Sequence, residues 1–194
     1  MKRILCLGDS NTFGFDPRSY LGSRYPADVR WTELLRRAGW EAVNCGQNGL
    51  SIPRPSAFPE LARLLARAQP LDGIAVMLGS NDLLQGASAQ EAGVRMEALL
   101  RWILEQAADT PVVLIAPPPM CAGEWVQSPA LIDASLRLTA EYRALAERLG
   151  LAFADAGAWD IALTFDGVHF APEGHAAFAR GLGEVLARLP ARRP

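Results

Sequence analysis

The chain has 194 residues, 50% of them apolar and 21% charged, with a formal net charge of −2. Such a length and balance fit a single globular domain over residues 1–194, able to bury roughly 70% of its unfolded surface without disulfides or a metal. Lys and Arg are scattered apart from Arg192-Arg193, which excludes the basic stripe of a nucleic-acid binder, and no apolar run approaches the roughly 18 residues of a membrane span.

The first predicted strand is Arg3–Leu7, an apolar run that ends at Gly8. A Ser on the turn that follows, at the carboxyl end of a central strand, stands where open α/β sheets bind ligands. Ser10 is therefore a candidate nucleophile, although Gly8-Asp9-Ser10-Asn11 taken alone fits a polar, capping turn better. An irregular stretch, Phe13–Pro26, leads to a predicted helix over Val29–Ala38 and a strand over Glu41–Cys45. A helix over Pro59–Ala68 and a strand over Gly73–Leu78 come next. Ser88-Ala89-Gln90-Glu91 fits a capping box that opens a helix to about Glu105.

The strand over Val112–Ala116, like Ile74–Leu78, is continuously apolar, as strands buried on both faces of a parallel sheet are. A second irregular stretch, Pro117–Gln127, precedes a helix whose N-cap is Ser128, with Pro129 at its first position and Gly150 at its end. Leu131, Ala134, Leu138, Tyr142, Leu145 and Leu149 make its buried face. The last strand is Leu151–Ala154, and Pro172 opens a final helix to about Leu189. Five rounds of strand and helix imply a doubly wound, all-parallel sheet covered on both faces.

The sharp polar signals all fall at strand ends. Ser10, His169 and Asp166 are of the types needed for nucleophile, base and orienter. A hydroxyl is a weak nucleophile without an adjacent base, imidazole has the right basicity, and a carboxylate fixes its tautomer. The order Ser…Asp…His is also that of α/β-hydrolases, but their G-x-S-x-G elbow is absent around Ser10. His175, inside the last predicted helix, reads as a packed or capping residue. An oxyanion hole needs donors aimed at the tetrahedral oxygen, and the Ser10 N–H, Gly49 N–H and Asn81 amide are the candidates. Gly49 suits the second place because backbone there must approach the substrate closely. A simple turn at Gly49 and a self-bonded loop at Asn81 are the bland alternatives.

Together, Gly8-Asp9-Ser10, Gly49, Gly79-Ser80-Asn81-Asp82 and Asp166-Gly167-Val168-His169 resemble the four blocks of the SGNH hydrolases, also called GDSL lipases/esterases. The resemblance implies an α/β/α flavodoxin-like sandwich with a five-stranded parallel sheet. It implies a serine esterase with Ser10, Asp166 and His169 as triad and Ser10, Gly49 and Asn81 as oxyanion donors. Gly49 is preferred to Gly46 because the family's donor glycine follows the strand-end Asn, here Asn44, by about five residues. The leucine of the family name is Asn11 here, and its role is left open.

Asp28-Val29-Arg30-Trp31-Thr32 and Asn48-Gly49-Leu50-Ser51 look like the branch of small bacterial arylesterases and acyltransferases. That branch implies short acyl or aryl esters, acetylated sugars included, and a tendency to form homo-oligomers. An acyltransferase with an alcohol or peroxide acceptor, a thioesterase or lysophospholipase, and a non-catalytic binding module are the rival readings. Phe13, Phe15, Tyr20, Tyr25, Met120 and Trp125 would wall a compact pocket, or else pack their loops onto the body or bury a subunit interface.

No cofactor or metal is expected. Cys6, Cys45 and Cys121 lack CxxC spacing, and two histidines are too few for a zinc site beside them. The short apolar run after Met1-Lys2-Arg3 does not fit a signal peptide, so the expected location is cytoplasmic, as a soluble enzyme.

Overall fold

The computed structural model describes residues 1–19, 21 and 23–190. Its five strands are β1 (Lys2–Gly8), β2 (Trp40–Gly46), β3 (Gly73–Met77), β4 (Val112–Ala116) and β5 (Ala152–Asp155). They form one sheet in the order β2-β1-β3-β4-β5, and every neighbouring pair is parallel. The helices are α1 (Ser10–Phe13), α2 (Trp31–Leu34), α3 (Phe58–Ala68), α4 (Ser80–Leu84), α5 (Ala89–Gln106), α6 (Pro129–Leu149) and α7 (Pro172–Ala187).

The continuously apolar strands divide their side chains between two cores. Leu5, Leu7, Ile74, Val76 and Leu114 point into a layer completed by α3, α5 and α6, with Leu65, Met96, Leu99, Leu138 and Tyr142 among its members. Ile4, Cys6, Ala75, Met77, Val113 and Ile115 point the other way, onto Trp31 of α2 and Phe178, Leu182 and Leu186 of α7. A strand that alternates faces yet is apolar throughout must be covered on both sides, which is the three-layer sandwich.

The chain leaves β1 for β2 on one side and returns to β3 on the other, so the order reverses beside β1. Register aligns Gly46, Gly8 and Met77 across this switch point, at the carboxyl rim where such sheets bind ligands.

Local corrections are few. The helix predicted over Val29–Ala38 is α2 followed by a 3₁₀ turn over Leu35–Ala38, stopped by Gly39 at φ +84°. A segment of this length completes about two turns, and the second tightens to 3₁₀. Ser128 sits at the N-cap of α6, but its side chain makes no capping bond. The capping box of α5 is present as read: the Glu91 N–H donates to Ser88 Oγ, and the Ser88 N–H to the Glu91 carboxylate. β5 lies one residue later than its apolar run, and α7 ends at Ala187 rather than Leu189.

Candidate active site

Ser10 stands at the first position of α1, a single helical turn directly after β1. Asp9 caps that turn, since its Oδ1 accepts the Asn11 N–H at 3.0 Å. Both readings of the tetrapeptide hold in this respect: it is a capped polar turn, and it presents a serine at the rim. Asp9 is buried, and burial raises its carboxyl from 3.8 to about 6, against the pull of the Asn11 N–H and of His169.

The structure brings Ser10, His169 and Asp166 together. Ser10 Oγ lies 3.0 Å from His169 Nε2, across 159 positions of sequence. His169 Nδ1 lies 2.7 Å from Asp166 Oδ2. The other carboxylate oxygen accepts the backbone N–H groups of Val168 and His169, both at 2.9 Å. Burial opposes the charge on Asp166, but the His169 ring and these two amides outweigh it and hold the carboxyl at about 2. With the imidazole neutral, Nδ1–H donates to Asp166 and Nε2 is left to accept from the serine hydroxyl.

The loop after β4 pins the segment that carries Asp166. The Glu124 N–H donates to the Phe165 carbonyl, Trp125 N–H to that of Asp166, and Cys121 N–H to that of Gly167. Trp125 then stands edge-on to the His169 ring at 4.9 Å between centroids, and Phe15 lies tilted against it at 4.9 Å. Of the other residues read as pocket walls, Tyr25 and Met120 are buried in the body, and Phe13 lies under the Arg24 guanidinium. Tyr20 lies outside the described residues. The wall reading therefore fits Phe15 and Trp125, and the packing reading fits Tyr25 and Met120.

Gly49 sits in an exposed turn beyond β2, two residues after Gln47, whose N–H bonds the Gly8 carbonyl at 3.1 Å. A Cβ at Gly49 would meet open space, and its requirement for glycine is its φ of +71°. Close approach within the protein itself occurs at Gly46, where a Cβ would run into the backbone of Thr12 and Phe13 in α1. Among the described residues no backbone carbonyl accepts the Gly49 N–H. Ser10 N–H, at the start of α1, is likewise without a partner inside its helix.

Asn81 lies in α4, directly after β3. Its amide donates to the Leu50 carbonyl at 3.1 Å, which leaves one of its two N–H groups. Next to it, buried Asp82 accepts the Ile52 N–H at 2.8 Å and pairs with Arg95 at 2.8 Å. These bonds fasten the loop that carries Gly49 to α4. Sequence reading placed Asp82 in a family block without a role and did not single out Arg95, since a spacing of 13 positions across a loop gives no periodic signal. It also left Asn11 open, whose side chain bonds the backbone on both sides of His169: Nδ2–H to the Val168 carbonyl at 3.1 Å, and Oδ1 from the Phe170 N–H at 2.9 Å.

His175 is fully buried in the first turns of α7. The Trp31 N–H points at its Nδ1 from 3.5 Å, its Nε2 has no partner, and Tyr25 and Phe170 pack edge-on to it. Burial, with the Arg30 charge nearby, lowers it from 6.5 to about 4. No cluster of three or more His, Cys, Asp or Glu side chains among the described residues is arranged to hold a metal ion. No helix among them is long and apolar enough to cross a membrane.

The fold is that of bacterial ester hydrolases. A candidate arylesterase from Agrobacterium tumefaciens superposes with a TM-score of 0.84 at 31% identity, covering 98% of this chain and 100% of that one. The M. smegmatis aryl esterase gives 0.82 at 28% identity, covering 98% and 100%. A carbohydrate acetylesterase from Sinorhizobium meliloti gives 0.81 at 26%, covering 96% and 99%. A search of curated protein sequences finds no match. Residues 6–177 match the GDSL-like lipase/acylhydrolase family. The chain belongs to that family, and it is a carboxylic ester hydrolase.

Proposed function

We propose that the chain is a serine esterase of short-chain acyl and aryl esters, acetylated sugars among them, working through Ser10, His169 and Asp166. Ser10 Oγ attacks the ester carbonyl while its proton passes to His169 Nε2. Asp166 holds the imidazole in the required tautomer and stabilises the imidazolium that forms. The oxyanion is received by Ser10 N–H, Gly49 N–H and the second N–H of the Asn81 amide. The alcohol leaves with the proton from His169. Water, deprotonated by the same nitrogen, then attacks the acyl-enzyme and releases the acid.

The observation that carries this reading is the unbroken run of hydrogen bonds from Ser10 Oγ through the ring to Asp166, at 3.0 and 2.7 Å. The unpartnered amides at Ser10 and Gly49 support the oxyanion roles. Phe15 and Trp125 beside the ring support a compact acyl site, and the aryl and acetyl esterases among the similar structures support the substrate class. Two measurements test it. A fluorophosphonate probe should label the wild type and not Ser10→Ala; a labelled Ser10→Ala removes Ser10 as nucleophile. Across p-nitrophenyl esters from acetate to decanoate, kcat/KM should be highest at the short end, and a preference for eight carbons or more would refute the short-acyl assignment.

A further inference from the structure

We propose that Asn11 is a positioning residue that locks the base to the nucleophile, a role resting on the reading of Ser10 and His169 given above. Its side chain spans the loop at His169. Nδ2–H donates to the carbonyl of the residue before the histidine, and Oδ1 accepts the N–H of the residue after it. Among the described hydrogen bonds, Asn11 is the only partner of both groups.

Asn11 is itself held at both backbone ends. Its N–H is taken by Asp9 Oδ1 at 3.0 Å, and its carbonyl accepts the Trp31 Nε1–H at 2.9 Å. Trp31 is buried against Phe178 of α7, in the core below the sheet. A fixed amide next to Ser10 thus grips the backbone that carries His169, so Ser10 Oγ and His169 Nε2 cannot drift apart by bending of either loop. Asp166 fixes the ring by its far nitrogen and cannot do this, because Asp166 lies in the same loop and would move with it.

An asparagine is suited to the task because it carries a donor and an acceptor on one short planar group. A leucine of similar volume can fill the space but leaves the Val168 carbonyl and Phe170 N–H buried without partners. The loop then regains its bonds by shifting toward water, and the base moves with it. The consequence falls on proton transfer rather than on substrate binding, since the bonds touch no part of the substrate site other than His169. Small misplacements of a catalytic group are costly: about 1 Å can lower a rate about a hundredfold.

The test uses the full chain as wild type, Asn11→Leu, Asn11→Ala, Asn11→Asp, Ser10→Ala and His169→Ala. Turnover of p-nitrophenyl acetate gives kcat and KM, the rate of inactivation by paraoxon reports attack by Ser10 separately, and thermal melting confirms the folded state. In Asn11→Leu and Asn11→Ala, kcat and the inactivation rate should each fall about tenfold to a hundredfold, with KM within about threefold of wild type. Asn11→Asp keeps the acceptor for Phe170 and loses the donor to Val168, so it should lie between. It also serves if neither apolar variant folds, and wild-type kcat in it then overturns the proposal.

A merely structural Asn11 would lower the melting temperature and leave kcat of the folded enzyme unchanged. Values of kcat and inactivation rate within about twofold of wild type in Asn11→Leu, beside inactive Ser10→Ala and His169→Ala, overturn this proposal alone. Activity surviving in Ser10→Ala or His169→Ala overturns the triad reading and this proposal with it.

Discussion

His169 and His175 are six positions apart, and both are buried, yet their surroundings have opposite consequences. His169 has a carboxylate at 2.7 Å on one ring nitrogen and a hydroxyl at 3.0 Å on the other. Around His175 there is one distant backbone N–H, an unpartnered Nε2 and aromatic edges. The first environment gives each ring nitrogen a polar side-chain partner. The second opposes protonation and offers no exchange partner. The proposed reactivity belongs to the rim at the switch point, where loops from several strand ends meet, and six positions farther along the chain the same side chain is core.

The widest break between the two is substitution itself. His169→Ala should lower kcat by about a millionfold, the scale of losing the base of a triad, and His175→Ala should leave it within about twofold. An inactive His175→Ala with native melting would reverse the assignment. Next in size, Asp166→Asn should cost about 10⁴-fold in kcat while the protein stays folded, because the amide can orient the wrong tautomer. Equal activity of Asp166→Asn and wild type at neutral pH would deny the carboxylate its part. Third, Asn81→Ala should lower kcat about a hundredfold, or about 3 kcal/mol of transition-state stabilisation. Loss confined to KM would mean that the amide only holds the loop at Leu50.

The smallest effect separates the two regions by pH. His175 in the folded protein titrates at about 4 against an ordinary 6.5, so the unfolded chain binds more protons in between. Stability is therefore lost as pH falls from about 6.5 to about 4, by an amount on the order of 3 kcal/mol. Asp9, raised to about 6, works in the opposite sense over pH 4–6, so the comparison must be between variant and wild type. His175→Leu should flatten this limb in urea titrations at several pH values. Little else should change, since a 3.5 Å contact to the Trp31 N–H is weak. The Asp166 carboxylate, depressed to about 2, stabilises the fold above pH 4 and loses that contribution between about 4 and 2. Asp166→Asn should remove this lower step and leave the upper one.

What could be read in the sequence was what local pattern encodes. The runs Ile74–Leu78 and Val112–Ala116 have one physical explanation, burial on both faces, and the sheet follows from them. The capping box at Ser88 was legible because its two partners are three residues apart. Ser10, Asp166 and His169 stood out through residue type and place at strand ends, and the structure brings the three side chains within hydrogen-bond distance. Features that depend on distant partners were not legible. Asn11 meets Val168 across 157 positions, and nothing local marks that bond. Tyr25 and Met120 have the composition of pocket walls, but burial by distant elements makes them core. The positive φ of Gly49 was not legible either, because it lies in the path of the loop rather than in the residue.

The 159 positions between Ser10 and His169 give this enzyme an unusual use. Ser10 follows the first strand, and His169 follows the last, so no fragment that lacks either strand end can hold both. Closing such a span is among the slower demands on a chain, because loop entropy must be overcome before the contact forms. On the proposed triad, ester turnover signals that these two strand ends have met, and a chromogenic ester added during refolding would time the arrival of the native topology more directly than helix content can.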